Sequence, residues 1–156
     1  MVIGVWHKDG AGLSGLLRRL TSALPELRRA VVAERPAVCD VLISDGPLPG
    51  VMDPCRCRLA VLPGDTEPDL SHITAERVIT YGMSARNTVT VSSVGVGDGC
   101  LFLALQREIT GLGGQSHDRQ ELLVRHAPST GTALAASAAL LACGAAPESL
   151  ERLFKK

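Results

Sequence analysis

The stretch that decides the fold of this chain is RVITYGMSARNTVTVSSV, residues 77–94. Its first part, RVITYG, is typical of the end of a short apolar strand inside a parallel sheet. Its last part, residues 87–94, alternates polar and β-branched residues, as a strand with one exposed face should. Because the pattern changes near residue 87, the sequence predicts a parallel sheet before this point and antiparallel strands after it.

The half of the chain before this change is predicted to hold short buried strands and a single helix. Leucines repeat at helical spacing over residues 13–24, and Pro25 ends that pattern. The connections over residues 47–57 and 65–75 are too short or too broken for full crossover helices. We therefore expect an α/β sheet with few helices. Its strands are predicted at residues 2–6, 30–34, 39–46, 58–65 and 76–84.

The half after the change contains glycine turns between short strands, which is typical of hairpins. An alanine-rich helix is predicted over residues 131–143, with Gly144 ending it and a short amphipathic helix at 148–154. No repeat or low-complexity linker interrupts the chain, so we expect one domain over residues 1–156. The hairpin strands are predicted at residues 87–94, 100–109 and 120–126, with turns at 95–99 and 111–115.

Composition and charge exclude several classes of function. The 16 basic residues equal the 16 acidic ones, so no electrostatic attraction to nucleic acid or to an anionic membrane is expected. No apolar run approaches the roughly 20 residues that span a bilayer, and no signal-peptide pattern starts the chain. We therefore expect a cytoplasmic protein. Hydrophobic residues make up 46% of the chain but aromatic residues only 3%, which predicts an aliphatic, alanine-rich core.

The five cysteines are predicted to be free thiols, because an odd number without an export signal is typical of a reducing compartment. Cys55 and Cys57 lack the spacing and the second pair that a zinc ribbon needs, and they are expected in a loop beside a strand. Cys39, Cys100 and Cys143 fall in apolar stretches and are expected in the core. No metal site is predicted.

Two segments resemble the central domain of the Mur ligases, the ATP-dependent amino-acid ligases of peptidoglycan synthesis. Residues 77–94 are similar to the stretch in which a TYG strand leads into the antiparallel subdomain of that family. The stretch RHAPSTGTALAASAALLACGAAPESL, residues 125–150, is similar to its H-N … N-A-L-A-A helix and the short helix that follows. The resemblance implies a mainly parallel, Rossmann-like (P-loop-type) sheet with helices and an antiparallel β subdomain.

The resemblance also implies where ATP would bind, in a loop between the first strand and the first helix. The family's loop has the sequence Gly-Thr/Ser-Asn-Gly-Lys-Thr/Ser, whose lysine neutralises phosphate charge and whose last hydroxyl binds Mg²⁺. Here Ala11 stands at the lysine position and Gly12 at the hydroxyl position. We expect no phosphoryl transfer and no bound cofactor, and at most weak binding of inorganic phosphate or sulfate. The degenerate loop consists of His7, Lys8, Asp9, Gly10, Ala11 and Gly12.

Other parts of the family's equipment have no clear counterpart in this sequence. His126 matches the histidine of the H-N element, which implies a place near the nucleotide base, but Ala127 follows it instead of asparagine. A polar residue packed at a strand end is the alternative. Between Asp45 and Arg77 we find no match for the magnesium-binding glutamate or for the modified lysine of several members. We therefore expect a stand-alone relative that works without the family's third, amino-acid-binding domain.

The carboxyl ends of the parallel strands are the place to look for any remaining site. Trp6 and His7 end the first strand, while Asp45 and Asp65 each follow a later strand. Paired acids at this edge could hold a metal ion, and acids beside glycine are also common in turns, so both interpretations stay open. The mixed charges over residues 103–121 are expected to form a solvated face.

Three functions are compatible with these observations. The first is a non-catalytic relative of the ligases that binds a partner protein of unknown identity. The second is a small-molecule or anion binder that uses the strand-end edge. The third is a subunit of an ATP-dependent ligase whose remaining domains lie on another chain. The loss of the phosphate-binding lysine favours the first.

We predict that the thiols are neither linked to one another nor bound to metal in the cell. When native protein is unfolded without reductant and then alkylated, mass spectrometry should therefore find five alkylated cysteines. A disulfide between Cys55 and Cys57, or stoichiometric zinc, would contradict this prediction.

Overall fold

The computed structural model describes residues 1–7, 12–46, 48, 53–67, 69–95, 99–125 and 129–153. Within these residues the chain forms strands and three α-helices. The strands are β1 (Val2–His7), β2 (Val31–Glu34), β3 (Val38–Asp45), β4 (Cys55–Pro63), β5 (Ile73–Tyr81), β6 (Val89–Val94), β7 (Leu101–Leu105), β8 (Ile109–Thr110), β9 (Ser116–His117) and β10 (Glu121–Val124). The helices are α1 (Gly12–Ala23), α2 (Thr130–Ala142) and α3 (Pro147–Leu153), and a 3₁₀ turn, Pro25–Leu27, follows α1.

Eight of the strands form one sheet in the order β10-β7-β6-β5-β4-β3-β1-β2. Strands β1 to β5 pair in parallel with their neighbours. Strand β7 lies between β6 and β10 and pairs antiparallel with both. The two parts meet at a single parallel residue pair, Tyr81 with Val89. The predicted change from parallel to antiparallel strands near residue 87 is therefore confirmed.

Helices α1 and α2 cover one face of this sheet. Residues 133–142 of α2 are all buried, because alanine side chains let the helix lie close to β3, β4, β5 and β6. The helix begins at Ser129, whose Oγ accepts a hydrogen bond of 3.1 Å from the Thr132 amide. Cys143 caps its C-terminal end, and the next residue, Gly144, has a φ of +98°, a conformation that glycine adopts readily after a helix. The larger part of the core lies between these helices and the sheet.

The opposite face of the sheet carries no helix in the described part of the chain. Its buried residues include Trp6, Leu42 and Leu62, with Leu48 from the β3–β4 connection packed among them. Gly4 lies on this face, where an added Cβ would come within 2.7 Å of Pro36 Cγ. Short connections thus cover this face where full crossover helices would usually lie, as the sequence predicted.

Two sequence expectations differ from the structure. Cys55 and Cys57 lie inside β4, not in a loop, because β4 begins three residues earlier than predicted. The segment Cys-Arg-Cys-Arg alternates buried thiols with exposed guanidinium groups, which is the period of a strand. The strand expected over residues 100–109 is also divided, since β7 ends at Leu105 and Ile109 begins a small hairpin of its own.

None of the helices in the described part of the chain has the length and hydropathy needed to cross a bilayer.

We predict that replacing Leu134 by alanine destabilises the protein strongly. Leu134 is 1% exposed at the contact between α2 and the sheet, so a cavity should lower the free energy of unfolding by about 2 to 5 kcal/mol. Leu70, which is 42% exposed, offers the matched control, and Leu70→Ala should lower the free energy of unfolding by less than about 1 kcal/mol. Urea unfolding of both variants measures the difference, and equal losses would show that α2 does not support the core.

Candidate functional site

The carboxyl ends of the parallel strands meet at one edge of the sheet. His7 at the end of β1 is the register partner of Asp45 at the end of β3, and Pro63 of β4 is the partner of Tyr81 of β5. Ligands of open parallel sheets bind beyond this edge. Of the residues predicted from the sequence, Lys8, Asp9, Gly10, Ala11 and His126 lie outside the described residues.

His7 is fixed against the helix that follows it. Its Nε2 lies 2.9 Å from Ser14 Oγ and 3.9 Å from Glu34 Oε1, and Glu34 Oε1 in turn lies 3.7 Å from Arg18 Nη2. Both Ser14 and Glu34 face the same ring nitrogen, whereas a serine-histidine-acid triad needs them on opposite nitrogens. Ser14 is also fully buried, so this contact joins β1 to α1 and does not prepare a nucleophile.

Gly12 is the first residue of α1. An added Cβ at this position would have no heavy atom within 4 Å. Steric crowding therefore does not require glycine here, and the position has room for the hydroxyl side chain that the family's loop carries.

Asp45 lies beside a second contact at this edge, made by the Tyr81 side chain. The Tyr81 hydroxyl donates a hydrogen bond of 2.6 Å to the Ser44 carbonyl and accepts one of 3.4 Å from the Gly46 amide. Burial, partly offset by Gly46 and reinforced by the charge of Asp45, raises the pKa of Tyr81 to about 12. The phenol is therefore a neutral bridge from β5 to the end of β3.

Asp65, just after β4, holds the connection between β5 and β6. Its carboxylate accepts hydrogen bonds from the Met83 amide at 2.7 Å, the Ser84 amide at 2.9 Å and the Asn87 side-chain amide at 2.7 Å. Desolvation alone would raise the pKa of Asp65, but these donors, helped by the charge of Arg86, outweigh it and hold the pKa below its ordinary value of 3.8. Asp45 and Asp65, the two acids that could have formed a metal site, therefore have different partners: Asp45 lies near Tyr81, whereas Asp65 holds the β5–β6 connection. No group of three metal-ligating side chains occurs in the described part of the chain.

Two glycines make the contacts around Asp65 very tight. A Cβ on Gly64 would overlap Asn87 Oδ1 and come within 2.8 Å of Thr80 Cβ. A Cβ on Gly82, whose φ is +158°, would come within 2.5 Å of Asp65 Oδ1. Because both glycines are required by close approach, the Asp65 junction, which comprises Gly64, Asp65, Gly82 and Asn87, is closely packed.

A cleft of about 490 Å³ opens over this junction. The sequence did not predict this cleft, because the mixed charges around Arg107 indicate only a solvated face and no sequence pattern distinguishes Arg86. A usable signal is nevertheless present in the sequence. Gly64 and Asp65 follow β4, Gly82 follows β5, and the ends of both strands lie at the same edge of the sheet. The cleft is lined by Gly64, Asp65, Thr66, Glu67, Thr80, Arg86, Asn87 and Arg107.

The thiols lie in the protein interior, as expected for Cys39, Cys100 and Cys143, and none of the five cysteines, all of which the structure describes, is joined in a disulfide. Cys39 Sγ lies 3.9 Å from Cys55 Sγ, and this hydrogen bond, with burial, raises the pKa of Cys39. Burial above all, with the charge of Cys55 next, raises the pKa of Cys57 to about 11. The same hydrogen bond lowers the pKa of Cys55 against the opposing effect of burial, but Cys55 is only 2% exposed. Because a substrate cannot reach thiols buried in this way, these three cysteines are poor candidates for a nucleophile.

The sequence matches no protein-family model and no curated protein. Solved structures, however, match it over nearly its whole length. Murein peptide ligase Mpl from Psychrobacter arcticus has a TM-score of 0.64 and 9% identity over 98% of this chain and 46% of its own. MurF from Acinetobacter baumannii has a TM-score of 0.56 and 12% identity over 99% of this chain and 45% of its own.

The chain has a Mur ligase-like fold. A third structure agrees, the UDP-N-acetylmuramoylalanyl-D-glutamyl-2,6-diaminopimelate–D-alanyl-D-alanyl ligase from Acinetobacter baumannii, with a TM-score of 0.57 and 13% identity over 99% of this chain. The resemblance stated from residues 77–94 and 125–150 is therefore confirmed at the level of the fold. The chain spans about 45% of the length of these ligases, and identities this low establish the fold alone.

We predict that Asp65→Asn weakens the protein in a pH-dependent way. The amide nitrogen of asparagine would face backbone donors, so the free energy of unfolding at pH 7 should fall by about 1 kcal/mol. Because the native pKa lies below 3.8, the stabilisation by Asp65 is present above that pH and is lost as the pH falls through the native pKa. The difference between wild type and variant should therefore narrow below pH 3.8.

Urea unfolding across this pH range measures the effect. Asp118→Asn is the matched control, because Asp118 is exposed and does not belong to the junction. A loss in Asp65→Asn that does not change with pH would contradict the role assigned to the carboxylate.

Proposed function

We propose that this protein is a non-catalytic relative of the Mur ligases that acts as a binding or regulatory module for a partner protein. The observation that carries the proposal is the sequence of the first loop. Ala11 and Gly12 stand where the aligned family loop has its phosphate-binding lysine and its magnesium-binding hydroxyl. The fold is retained while the groups that would hold ATP and Mg²⁺ are replaced.

The remaining groups do not fit ATP. The N-terminus of a helix stabilises a nearby anion by about 0.3 to 1 kcal/mol when exposed, whereas a triphosphate carries about four negative charges and relies on cationic groups and a metal ion. The nearest described cationic group on α1 is Arg18, and it lies 3.7 Å from Glu34. His7 Nε2 already faces Ser14 and Glu34. We therefore derive no phosphoryl-transfer step for this chain.

An alternative is a subunit of an ATP-dependent ligase, for which the fold is the supporting observation. The proposal and this alternative differ in one measurable property, the binding of ATP together with Mg²⁺ at the first loop.

We predict that calorimetry finds no magnesium-dependent ATP binding at micromolar concentration. Ala11 and Gly12 supply neither the charge nor the metal ligand that such binding needs. Magnesium-dependent ATP binding that Lys8→Ala removes would refute the proposal and support the ligase alternative.

The same loop offers a gain-of-function control. The double variant Ala11→Lys with Gly12→Thr restores the family's residues, and Gly12 has the room for a larger side chain. Nucleotide binding that appears only in this variant would show that the loop has the conformation of a phosphate-binding loop and lacks only the lysine and the hydroxyl group. Arg19→Gln, at an exposed position of α1, should leave the result of either experiment unchanged.

A further inference from the structure

We propose that the cleft beyond β4 and β5 binds a small oxyanion, a phosphate or a carboxylate, between the guanidinium groups of Arg86 and Arg107. This site goes beyond the proposed function. It lies over the Asp65 junction, beyond β4 and β5, whereas β1, which precedes the first loop in sequence, lies on the other side of β3 in the sheet.

The two arginines reach the cleft from distant parts of the sequence. Arg86 lies in the connection between β5 and β6, and Arg107 lies between β7 and β8. Both are exposed. In the described ranges, neither guanidinium has a carboxylate within the 4.0 Å of an ion pair, the ion pairs there being those of Glu34 with His7 and Arg18. The charge of Arg86 also acts on the nearby Asp65 carboxylate, but those oxygens already accept three hydrogen bonds from the protein, so a bound anion would still be attracted by both guanidinium groups.

The guanidinium group determines the class of ligand. It is planar and always charged, and its donors match the paired oxygens of carboxylate and phosphate. Thr66 and Thr80 add hydroxyl groups to the same lining. The volume of about 490 Å³ exceeds what a single inorganic anion needs, so the cleft has room for an organic group attached to the anion.

The cleft has a firm floor. The Asp65 junction binds three donors through one carboxylate, and Gly64 and Gly82 leave no space for any further side-chain atom. Asn87 is 1% exposed, and its amide donates to Asp65 and to the Ser84 carbonyl. A preorganised floor reduces the ordering that binding requires, because less conformational freedom is lost.

Two acids also line the cleft, and they have different consequences. The Asp65 oxygens already accept three hydrogen bonds from the protein, so they are committed to the floor. Glu67 is exposed, and in the described residues its carboxylate accepts no hydrogen bond. Its negative charge therefore repels an incoming anion and competes with it for the two arginines. Removing the charge of Glu67 should therefore strengthen binding, which gives the proposal a test in both directions.

The experiment is calorimetric titration of the wild-type chain with pyrophosphate and, separately, with citrate at low ionic strength. We expect at least one of these probes to bind, with Arg86→Gln and Arg107→Gln each weakening binding by about tenfold. Glu67→Gln should tighten binding severalfold, and added salt should weaken it. The stronger of the two probes tells whether the natural ligand carries a phosphate or a carboxylate. Arg19→Gln is the matched control and should bind as the wild type does.

The outcomes that overturn the proposal are equally definite. They are the absence of binding by both probes, or binding that survives the double variant Arg86→Gln with Arg107→Gln. Far-ultraviolet circular dichroism of each variant shows that the fold is kept. ATP binding that needs Arg107 but neither Mg²⁺ nor Lys8 would belong to this cleft, so failure of the cleft and failure of the proposed function are distinguishable.

Discussion

The architecture depends on one narrow connection, the step from β5 to β6. A single parallel pair, Tyr81 with Val89, joins the parallel strands to the antiparallel ones. Parallel neighbours normally need a long crossover, yet only residues 82–88 separate these two strands. The chain achieves this because β6 continues beyond the end of β5 and does not return alongside it. The Asp65 carboxylate fixes the connection through the amides of Met83 and Ser84.

This step explains why the cleft lies where it does. Since β6 extends beyond the parallel edge, the antiparallel strands carry Arg107 to the region above the end of β4. The same connection supplies Asn87 to the floor and Arg86 to the lining of the cleft, so the connection that joins the two halves of the sheet also builds part of the cleft. The cleft is thus a consequence of how the sheet changes direction, and it needs no contribution from the first loop.

Much of the fold could be predicted from local patterns, whereas the cleft could not. The helices near residues 13–24 and 131–143 and the change of strand type near residue 87 each follow from periodicity within a short window. The cleft joins residues 64–67, 80, 86, 87 and 107, which lie on separate parts of the sequence, and only the register of the strands brings them together. The prediction of Cys55 and Cys57 in a loop is wrong because Arg56 and Arg58, which alternate with them, hide the apolar character of the strand.

The residues that stabilise the fold are separate from those that would bind a phosphate at the first loop. Helix α1 is held by its buried leucines and by the contact of Ser14 with His7, and none of these is a phosphate-binding group. Helix α2 is held by alanines and leucines against β3 to β6. A lysine and a hydroxyl in the first loop would act on a bound triphosphate and would add nothing to this core. A Cβ at Gly12 would meet no heavy atom within 4 Å, so the packing of α1 places no steric constraint on that position, and the same scaffold can carry a binding site beyond β4 and β5.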